Sequence, residues 1–538
     1  MRRPFLACCG VALCAGLAAA DTYPRQAGVD VEHYRFGLSL ADGTDEIAGA
    51  AVVTVRFTVD GLASVILDLA TPSAGRGMTV LAVTADGAPA RFEHAANRLR
   101  VDLGRPSKAG DRRALAVNYR GRPASGLRIG ANKHGERTFF SDNWPDKARQ
   151  WLPTVDHPSD KATSEFLVNA PSRYQVVSNG LLREETDLGG DRRLTHWKQS
   201  VPVASWLNAL GVARFASRQP ATWRGVPFQT WAFPQDRDAG IVAFEEPSRR
   251  AFEFFSDFIG PYPFEKLAAV EAAGIDGGME LAGTIFYGEA SVDGRPATDL
   301  VAHEVAHQWF GDSVTENDWD DIWLSEGFAT YFANLAAEHH AGRPALVARM
   351  KRDRDLVRSF EVAHPGLAVQ HANLADLAAI TNPLVYQKGG WVLHMLRGRV
   401  GDEAFRLGIR AYYRQHRDAN ASTADFRRSM EAASGTDLAG FFDQWLRRPG
   451  SPRLAGTWRH DPTTRRVALD LEQLQPGDPY RLPLEVGLGG DPGSTLRVAK
   501  VEMTLRRQHF EVDSDRPPSA VELDPNTWTL MDWRLEPR

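Results

Sequence analysis

Cysteine is almost absent from this chain of 538 residues, and its three examples all lie close to the N-terminus, at Cys8, Cys9 and Cys14. They fall in a segment with the features of a removable targeting signal, so the mature chain is expected to contain none. A disulfide framework and a cysteine-ligated metal are therefore both excluded for the mature protein.

Long hydrophobic runs and a strong charge of one sign are missing as well. Beyond the N-terminus, no apolar stretch is long enough to span a bilayer. The formal net charge is −5, with 24% charged residues, which gives no electrostatic footprint for nucleic acid. The sequence thus predicts no membrane span and no nucleic-acid partner. At roughly 150 residues per domain, a chain of this length is expected to form three or four domains.

Residues 1–20 are predicted to be a signal peptide. Arg2 and Arg3 form a basic start, residues 5–17 form an apolar core too short to span a membrane, and the alanines at 18–20 offer a small-residue cleavage site. Cleavage would change the formal charge from −5 to −7, because two arginines and no acid are removed. The arginine pair also resembles a twin-arginine signal. Either route predicts a periplasmic or secreted protein.

Hydrophobic periodicity divides the mature chain into three regions. In residues 21–217, apolar and polar residues alternate between turn residues, which is typical of antiparallel sheets. Residues 218–447 are dominated by helical periodicity. A linker rich in proline and glycine follows at 448–452, and alternation then returns. The remaining residues, about 90, suffice for one small β-sandwich.

Six helices are predicted between residues 298 and 434. Thr298, Ser325 and Thr423 are the expected N-caps, and Gly342 and Gly435 the expected stops. The predicted helices cover residues 298–310, 325–341, 345–360, 385–399, 403–417 and 423–434.

The stretch HEVAHQWF at residues 303–310 suggests a metal site. A helix turns about 100° per residue, so His303 and His307 lie on one face and could bind one cation. Zinc accepts neutral imidazoles and usually has four ligands, of which a catalytic site leaves one to water. Eighteen residues separate His307 from Glu326, in WLSEGFATY, which is the candidate third ligand. A short helix–turn–helix could bring it onto the histidine face.

Glu304 adjoins the first histidine but lies about 100° around the helix, so it is not expected to reach the metal as a ligand. Zinc lowers the pKa of bound water to about 7, and a carboxylate within hydrogen-bond reach can accept that proton. Glu304 is therefore predicted to be the general base, and afterwards the proton donor to the leaving amine. HExxH alone can occur by chance. The carboxylate of Glu326 and the surrounding aromatic residues favour a catalytic site.

With these residues in place, the chain resembles the gluzincin aminopeptidases, the family of membrane alanyl aminopeptidase and leukotriene hydrolase. The block HEVAHQWFGDSVT…WLSEGFATY is similar to that family's core. The resemblance implies a saddle-like β domain over 21–217, a thermolysin-like α/β catalytic domain over 218–447, and a C-terminal β-sandwich domain over 448–538. Larger members continue into a helical domain that covers the site. None is expected here, so the cleft should be more open.

The resemblance also implies roles for single residues. His303, His307 and Glu326 match the zinc ligands, one zinc being expected per chain, and Glu304 matches the catalytic glutamate. Tyr386, in VYQKGG, matches the tyrosine that stabilises the tetrahedral intermediate, since a phenol can donate to a developing oxyanion.

The stretch GGMEL at residues 277–281 matches the exopeptidase motif usually written GAMEN. Its glutamate binds the substrate's free α-amino group in the family, and a fixed carboxylate attracts an ammonium. Two departures concern this function: Leu281 replaces the motif's asparagine, and Trp144 stands where a second amine-binding residue is usual, with Asp142 as a nearby substitute. The predicted substrate-binding residues are Gly277, Gly278, Met279 and Glu280.

The sequence therefore predicts a periplasmic or secreted zinc metallo-aminopeptidase that acts on peptides with a free N-terminus. One alternative is a metallo-endopeptidase or a broader hydrolase on the same scaffold, which the departures at Leu281 and Trp144 motivate. Another is a non-catalytic peptide-binding protein, against which the complete HExxH-x18-E pattern argues.

Overall fold

Strands dominate the first part of the chain. The described residues of the computed structural model are 21–370, 377–489 and 496–538, so the predicted signal at 1–20 lies outside them. Between residues 29 and 213 the described strands are β1 (Val29–Ser39), β2 (Ile47–Phe57), β3 (Ser64–Asp68), β4 (Gly77–Ala85), β5 (Ala88–Pro89), β6 (Phe92–Ala95), β7 (Arg98–Asp102), β8 (Arg112–Arg122), β9 (Gly126–Ala131), β10 (Arg137–Asp142), β11 (Lys161–Pro171), β12 (Gln175–Ser178), β13 (Leu181–Gly189), β14 (Arg192–Ala204) and β15 (Leu210–Ala213).

These strands form an N-terminal β region with its own core. The largest sheet has the order β13-β14-β11-β1-β2-β8-β4-β5, and two smaller sheets are β3-β7-β6 and β12-β15-β10-β9. The pairs are antiparallel except β1 with β11. As the alternation predicts, Phe36 and Leu38 on β1 and Val53 and Val55 on β2 are buried. They belong to a cluster confined to this region.

A five-stranded sheet opens the central region. Its order is β16-β17-β18-β20-β19, with β17, β18 and β20 parallel to one another. All residues of β18 and β20 are buried, as expected of parallel strands covered on both faces. The strands are β16 (Ala216–Trp223), β17 (Val226–Ala232), β18 (Leu267–Ala272), β19 (Gly278–Met279) and β20 (Thr284–Gly288).

Helices make up most of the rest of the central region. The described elements are α1 (Arg237–Phe258), α2 (Thr298–His307), α3 (Trp323–Ala341), α4 (Arg343–Ala363), α5 (Gly389–Val400), α6 (Asp402–His416), α7 (Thr423–Ser434), α8 (Ala439–Phe442), two π-helical turns (Leu384–Lys388 and Asp443–Arg447), and the parallel pair β21 (Val314–Glu316) and β22 (Ala419–Ala421). None of the described helices is long and apolar enough to span a membrane.

The three predicted N-caps are wrong. Thr298, Ser325 and Thr423 all lie inside their helices. Among these three helices, only α7 has a side-chain cap: Ser422 accepts from the main-chain N–H of Asp425, whose carboxylate accepts from that of Ser422. A serine or threonine near a helix start can serve other purposes, so it locates the start only approximately. The observed caps are Ala297, Ile322 and Ser422.

The predicted helix stops are confirmed, whereas one predicted start is wrong. Gly342 and Gly435 follow α3 and α7 with φ of 81° and 65°, a region that favours glycine. The helix predicted to start at residue 385 begins instead with the π-helical turn Leu384–Lys388, and regular α5 follows from Gly389. Such turns are frequent at functional sites.

The C-terminal region returns to strands and shares its core with the central region. Its sheets have the orders β27-β24-β23-β29 and β26-β25-β28. Buried residues such as Leu469 and Val486 join the same hydrophobic cluster as the central helices. The strands are β23 (Arg453–Asp461), β24 (Arg466–Gln473), β25 (Leu482–Leu488), β26 (Arg497–Met503), β27 (Arg507–Asp513), β28 (Val521–Leu523) and β29 (Asp532–Pro537).

A buried lysine joins the N-terminal β region to the central sheet. The ammonium of Lys266 donates to the main-chain oxygen of Ser178 at 2.7 Å and to the hydroxyl of Thr284 at 2.6 Å. No carboxylate contacts it within the described chain, and burial lowers its pKa to about 7.

This lysine predicts a pH-dependent stability. In the unfolded chain, Lys266 keeps its proton up to a pH of about 10. In the folded chain it keeps this proton only up to a pH of about 7. The free energy of unfolding should therefore rise between these pH values, by up to about 1.4 kcal/mol per pH unit. Lys266→Met removes this contribution. Thermal unfolding of both proteins from pH 6 to 10 should show that the stability of the wild type, relative to that of the variant, increases as the pH rises. A difference independent of pH would refute the prediction.

Candidate metal and catalytic site

Two helices bring together the three residues predicted to bind the metal. His303 and His307 lie one turn apart on α2, and their Nε2 atoms are 3.1 Å apart. Glu326 lies in the first turn of α3, which packs against α2. Its Oε2 is 3.4 Å from Nε2 of His303 and 3.2 Å from Nε2 of His307. The three atoms therefore converge on one point.

These separations fit a tetrahedral zinc ion. With bond lengths of about 2.0–2.1 Å, the edge of such a tetrahedron is about 3.3 Å, close to the three measured distances. Oε2 of Glu326 is buried and makes no hydrogen bond of acceptable geometry with the described residues, although two imidazole nitrogens lie near it. A buried carboxylate oxygen without a donor is costly, and a cation would satisfy it.

A second group of possible ligands shares one histidine with the first. Glu280, Glu304 and His307 also bring three donor atoms within 4.8 Å of one another. This group has one imidazole and two carboxylates, both of whose pKa values are raised, first of all by burial. The first group is the better zinc site because its spacing matches a tetrahedron and because it contains the unsatisfied oxygen of Glu326.

The turn after α2 orients His307. Its Nδ1 lies 3.3 Å from the main-chain oxygen of Phe310 and 3.1 Å from the hydroxyl of Ser325. A proton on Nδ1 that points to these oxygens leaves Nε2 free for a metal. Gly311 permits this packing: its φ is 115°, and a Cβ there would lie 2.3 Å from the Ser325 hydroxyl. The sequence singled out Ser325 only as a cap and did not single out Gly311.

Glu304 is buried, and its carboxyl group lies against Gly278 and within 4.8 Å of a ring nitrogen of His307. A Cβ added at Gly278 would lie 2.4 Å from its carboxyl carbon. Glycine stands here where the family motif has alanine, and the carboxyl group of Glu304 occupies the space of the missing methyl. Burial, followed by the nearby Glu280 carboxylate, raises the pKa of Glu304 well above its ordinary value. A raised pKa suits a group that accepts and then returns a proton.

The predicted substrate-binding residues lie beside α2. Gly278 and Met279 form β19, and Glu280 follows it as a buried residue. Burial raises the pKa of Glu280 to about 7. Gly277 precedes the strand with φ of 70°. This loop places a carboxylate next to Glu304 and His307, within the group of donor atoms described above.

Tyr386 lies beside His303. Its ring is 6.0 Å from that imidazole at an interplanar angle of 10°. Burial, followed by the Glu326 carboxylate, raises the pKa of Tyr386 well above its ordinary value. The phenol therefore keeps its proton and can donate a hydrogen bond.

The residues that depart from the family pattern are packed against their neighbours or paired. Trp144 is half-buried and packs edge-on against Trp206 and Trp319, with ring centroids 4.7 and 5.2 Å away. Asp142 is not a free carboxylate, because Arg128 binds it with two nitrogens, at 2.9 and 2.7 Å. The side chain of Leu281 is fully buried in the core.

Two family models match this chain. The model of the peptidase M1 N-terminal domain matches residues 30–207, and that of the peptidase family M1 domain matches residues 244–445. The predicted ligands and all of the predicted catalytic and substrate-binding residues fall within the second match.

The curated relatives are aminopeptidases of greater length. Glutamyl aminopeptidase of Rattus norvegicus is 29% identical over 363 residues, which cover 64% of this chain and 38% of the rat protein. Aminopeptidase A of Gloydius brevicauda is 29% identical over 437 residues, which cover 75% of this chain and 45% of the Gloydius protein. The chain thus spans less than half the length of either relative.

Two solved structures of aminopeptidases or zinc metallopeptidases are similar to this chain. The M1 zinc metallopeptidase of Deinococcus radiodurans has a TM-score of 0.68 at 28% identity, over 78% of this chain and 94% of that one. Legionella pneumophila aminopeptidase A, in complex with aspartic acid, has a TM-score of 0.81 over 95% of this chain and 60% of the Legionella chain. At 17% identity, this similarity shows the fold alone. With two family models in sequence order over an N-terminal β domain and an α/β domain that carries the HExxH-x18-E site, the chain belongs to the M1 peptidases, the gluzincin aminopeptidase family.

Proposed function

We propose that this protein is a zinc metallo-aminopeptidase that hydrolyses the first peptide bond of peptides with a free N-terminus. The observation that carries the proposal is the convergence of His303, His307 and Glu326, with Glu280 and Glu304 beside them. The ligand group fits zinc, and relatives of this chain are described as zinc metallopeptidases. A mutant of the Deinococcus enzyme has been solved with the peptide Tyr-Ser-Ala as substrate.

The residues of the site divide the chemistry among them. His303, His307 and Glu326 would hold zinc, which supplies Lewis acidity for the scissile carbonyl and for water. Glu304 accepts a proton from the attacking water and returns it to the leaving amine. The Tyr386 hydroxyl donates a hydrogen bond to the oxygen that gains charge in the transition state.

Glu280 gives the reaction its exopeptidase character in this proposal. Its carboxylate lies beside the proposed metal site and would bind the ammonium of the substrate's first residue. An ammonium held there leaves room for one residue before the scissile bond. A peptide without a free amine would leave the buried carboxylate without a partner, which costs binding energy.

A paired assay tests this assignment. Free aminoacyl-amides should be hydrolysed faster than their N-acetylated counterparts by about 100-fold or more in kcat/KM, since a lost contact to a buried charge costs about 3 kcal/mol. Glu280→Gln should remove most of this preference by slowing only the free substrate. Equal rates for free and blocked substrates in the wild type would favour the endopeptidase or broader hydrolase instead.

We also propose that the protein is exported and that its C-terminal sheets form a sandwich domain. The support for export is the signal-like segment at 1–20. The support for the sandwich is the pair of sheets in residues 453–537, whose apolar faces are buried. Mass spectrometry of the exported protein should show a chain that begins at Asp21. A mature chain that retains Met1 would contradict export by cleavage.

A further inference from the structure

Gln308 follows the second histidine of the metal motif and is fully buried. Its amide nitrogen donates to the main-chain oxygen of Glu280 at 2.9 Å and to Oδ2 of Asp312 at 2.7 Å. Its amide oxygen accepts from the main-chain N–H of Gly283 at 2.7 Å, and it shares the single proton of the Tyr262 hydroxyl, 3.0 Å away, with the main-chain oxygen of Lys266 at the same distance. A glutamine amide has two donors and two acceptor sites, so the side chain is fully used.

Two of these bonds hold both ends of one short segment. The main chain of residues 280–283 is bound at Glu280 and at Gly283 by the same amide group. The other face of the segment is held by Asn179, whose side chain donates to the main-chain oxygen of Ala282 at 2.8 Å. The segment is thus attached to the C-terminal end of α2 through Gln308 and to the N-terminal β region through Asn179.

The position of the Glu280 carboxylate depends on this segment. The hydrogen bond it accepts comes from its own main chain, and no side chain of the described residues donates one to it. Its location therefore follows the backbone that Gln308 holds. Because Gln308 directly follows His307 at the C-terminal end of α2, the same side chain links the proposed amine-binding carboxylate to the helix that carries two metal ligands.

We propose that Gln308 is a positioning residue that sets the distance between the amine-binding carboxylate and the metal site. This inference rests on the proposed function. Gln308 touches neither substrate nor metal, and it acts by fixing Glu280 at one residue's length from the scissile bond. A displacement of about 1 Å in a substrate-positioning group can cost about 100-fold. The loss should fall on recognition of the free amine, since the metal ligands and Glu304 are held by other contacts.

The test is Gln308→Met, which preserves size and removes the hydrogen bonds to all four partners. With a free aminoacyl-amide, KM should rise about 10- to 100-fold, and kcat should stay within about threefold of the wild type. The preference for free over N-acetylated substrate should fall by a similar factor. Zinc content, measured by atomic emission, should remain one per chain. Tyr262→Phe, which removes one of the four partners, should change KM in the same direction by several-fold, and it serves if Gln308→Met does not fold.

Gln473→Met is the matched control. Gln473 is equally buried and also hydrogen-bonds through both ends of its amide, but it lies on β24 in the C-terminal region. The Gln473→Met substitution should lower thermal stability without changing KM or the preference for a free amine. An unchanged KM in Gln308→Met, a loss confined to kcat, or a loss of zinc would overturn the inference. If Glu280→Gln leaves amine preference intact, the amine anchor and this inference both fail; if only Glu280→Gln impairs it, this inference alone fails.

Discussion

Replacing Glu304 by glutamine should lower kcat by about 10²- to 10⁴-fold and leave zinc content near one per chain. Glutamine keeps the size of the side chain but cannot accept and return a proton. Glu304 lies on the metal helix outside the convergent ligand set, so metal binding should not depend on its charge. Steady-state kinetics on an aminoacyl-fluorophore and metal analysis of the same sample check both parts.

The same substitution at another buried carboxylate provides the control. Glu316, on β21, is fully buried, and neither carboxylate oxygen has a hydrogen-bond partner among the described residues. Burial raises the pKa of Glu316 to about 8, so glutamine resembles its protonated form at neutral pH. Glu316→Gln should keep kcat within a few-fold of the wild type. A Glu304→Gln enzyme with kcat within tenfold of the wild type would remove Glu304 from the proton transfer.

The second large effect is expected at Glu326. Glu326→Ala should lower zinc affinity by more than about 100-fold. Even the mutation of a residue that only hydrogen-bonds to a metal ligand typically lowers metal affinity or activity about 10- to 100-fold. The purified variant should hold far less than one zinc per chain and show no measurable hydrolysis. Wild-type protein stripped by a chelator should regain activity with added zinc, whereas the variant should not.

Thermal unfolding offers a readout independent of activity. A ligand that binds only the folded state raises the unfolding temperature, so added zinc should stabilise the stripped wild type and leave Glu326→Ala unchanged. Glu338→Ala is the matched control, since Glu338 lies on the same helix and pairs with Arg343 and Arg397 rather than with the site. A Glu326→Ala protein that binds one zinc with wild-type affinity would show that the third ligand lies elsewhere.

The metal site was the most predictable part of the molecule. His303 and His307 share a helix face because of a four-residue spacing, which is a local property of the helix. Glu326 was accessible to sequence analysis because its helix follows after a short connection, and family resemblance supplied Glu280 and Tyr386. The N-caps were predicted incorrectly, and the π-helical turn at Leu384–Lys388 was not foreseen. Both depend on how the helix ends pack, which short sequence signals do not specify.

The sequence by itself predicted the candidate ligand set, the candidate general base and the alternation of β and helical regions, because each follows from the spacing of residues a few positions apart or from a compact motif. Only the tertiary structure decided which side chains support that site. Gln308 bonds to residues 28 and 46 positions away, Asp142 is neutralised by Arg128, and the C-terminal sheets share a core with the helices. Such contacts arise when distant segments pack together, and no local pattern encodes their partners.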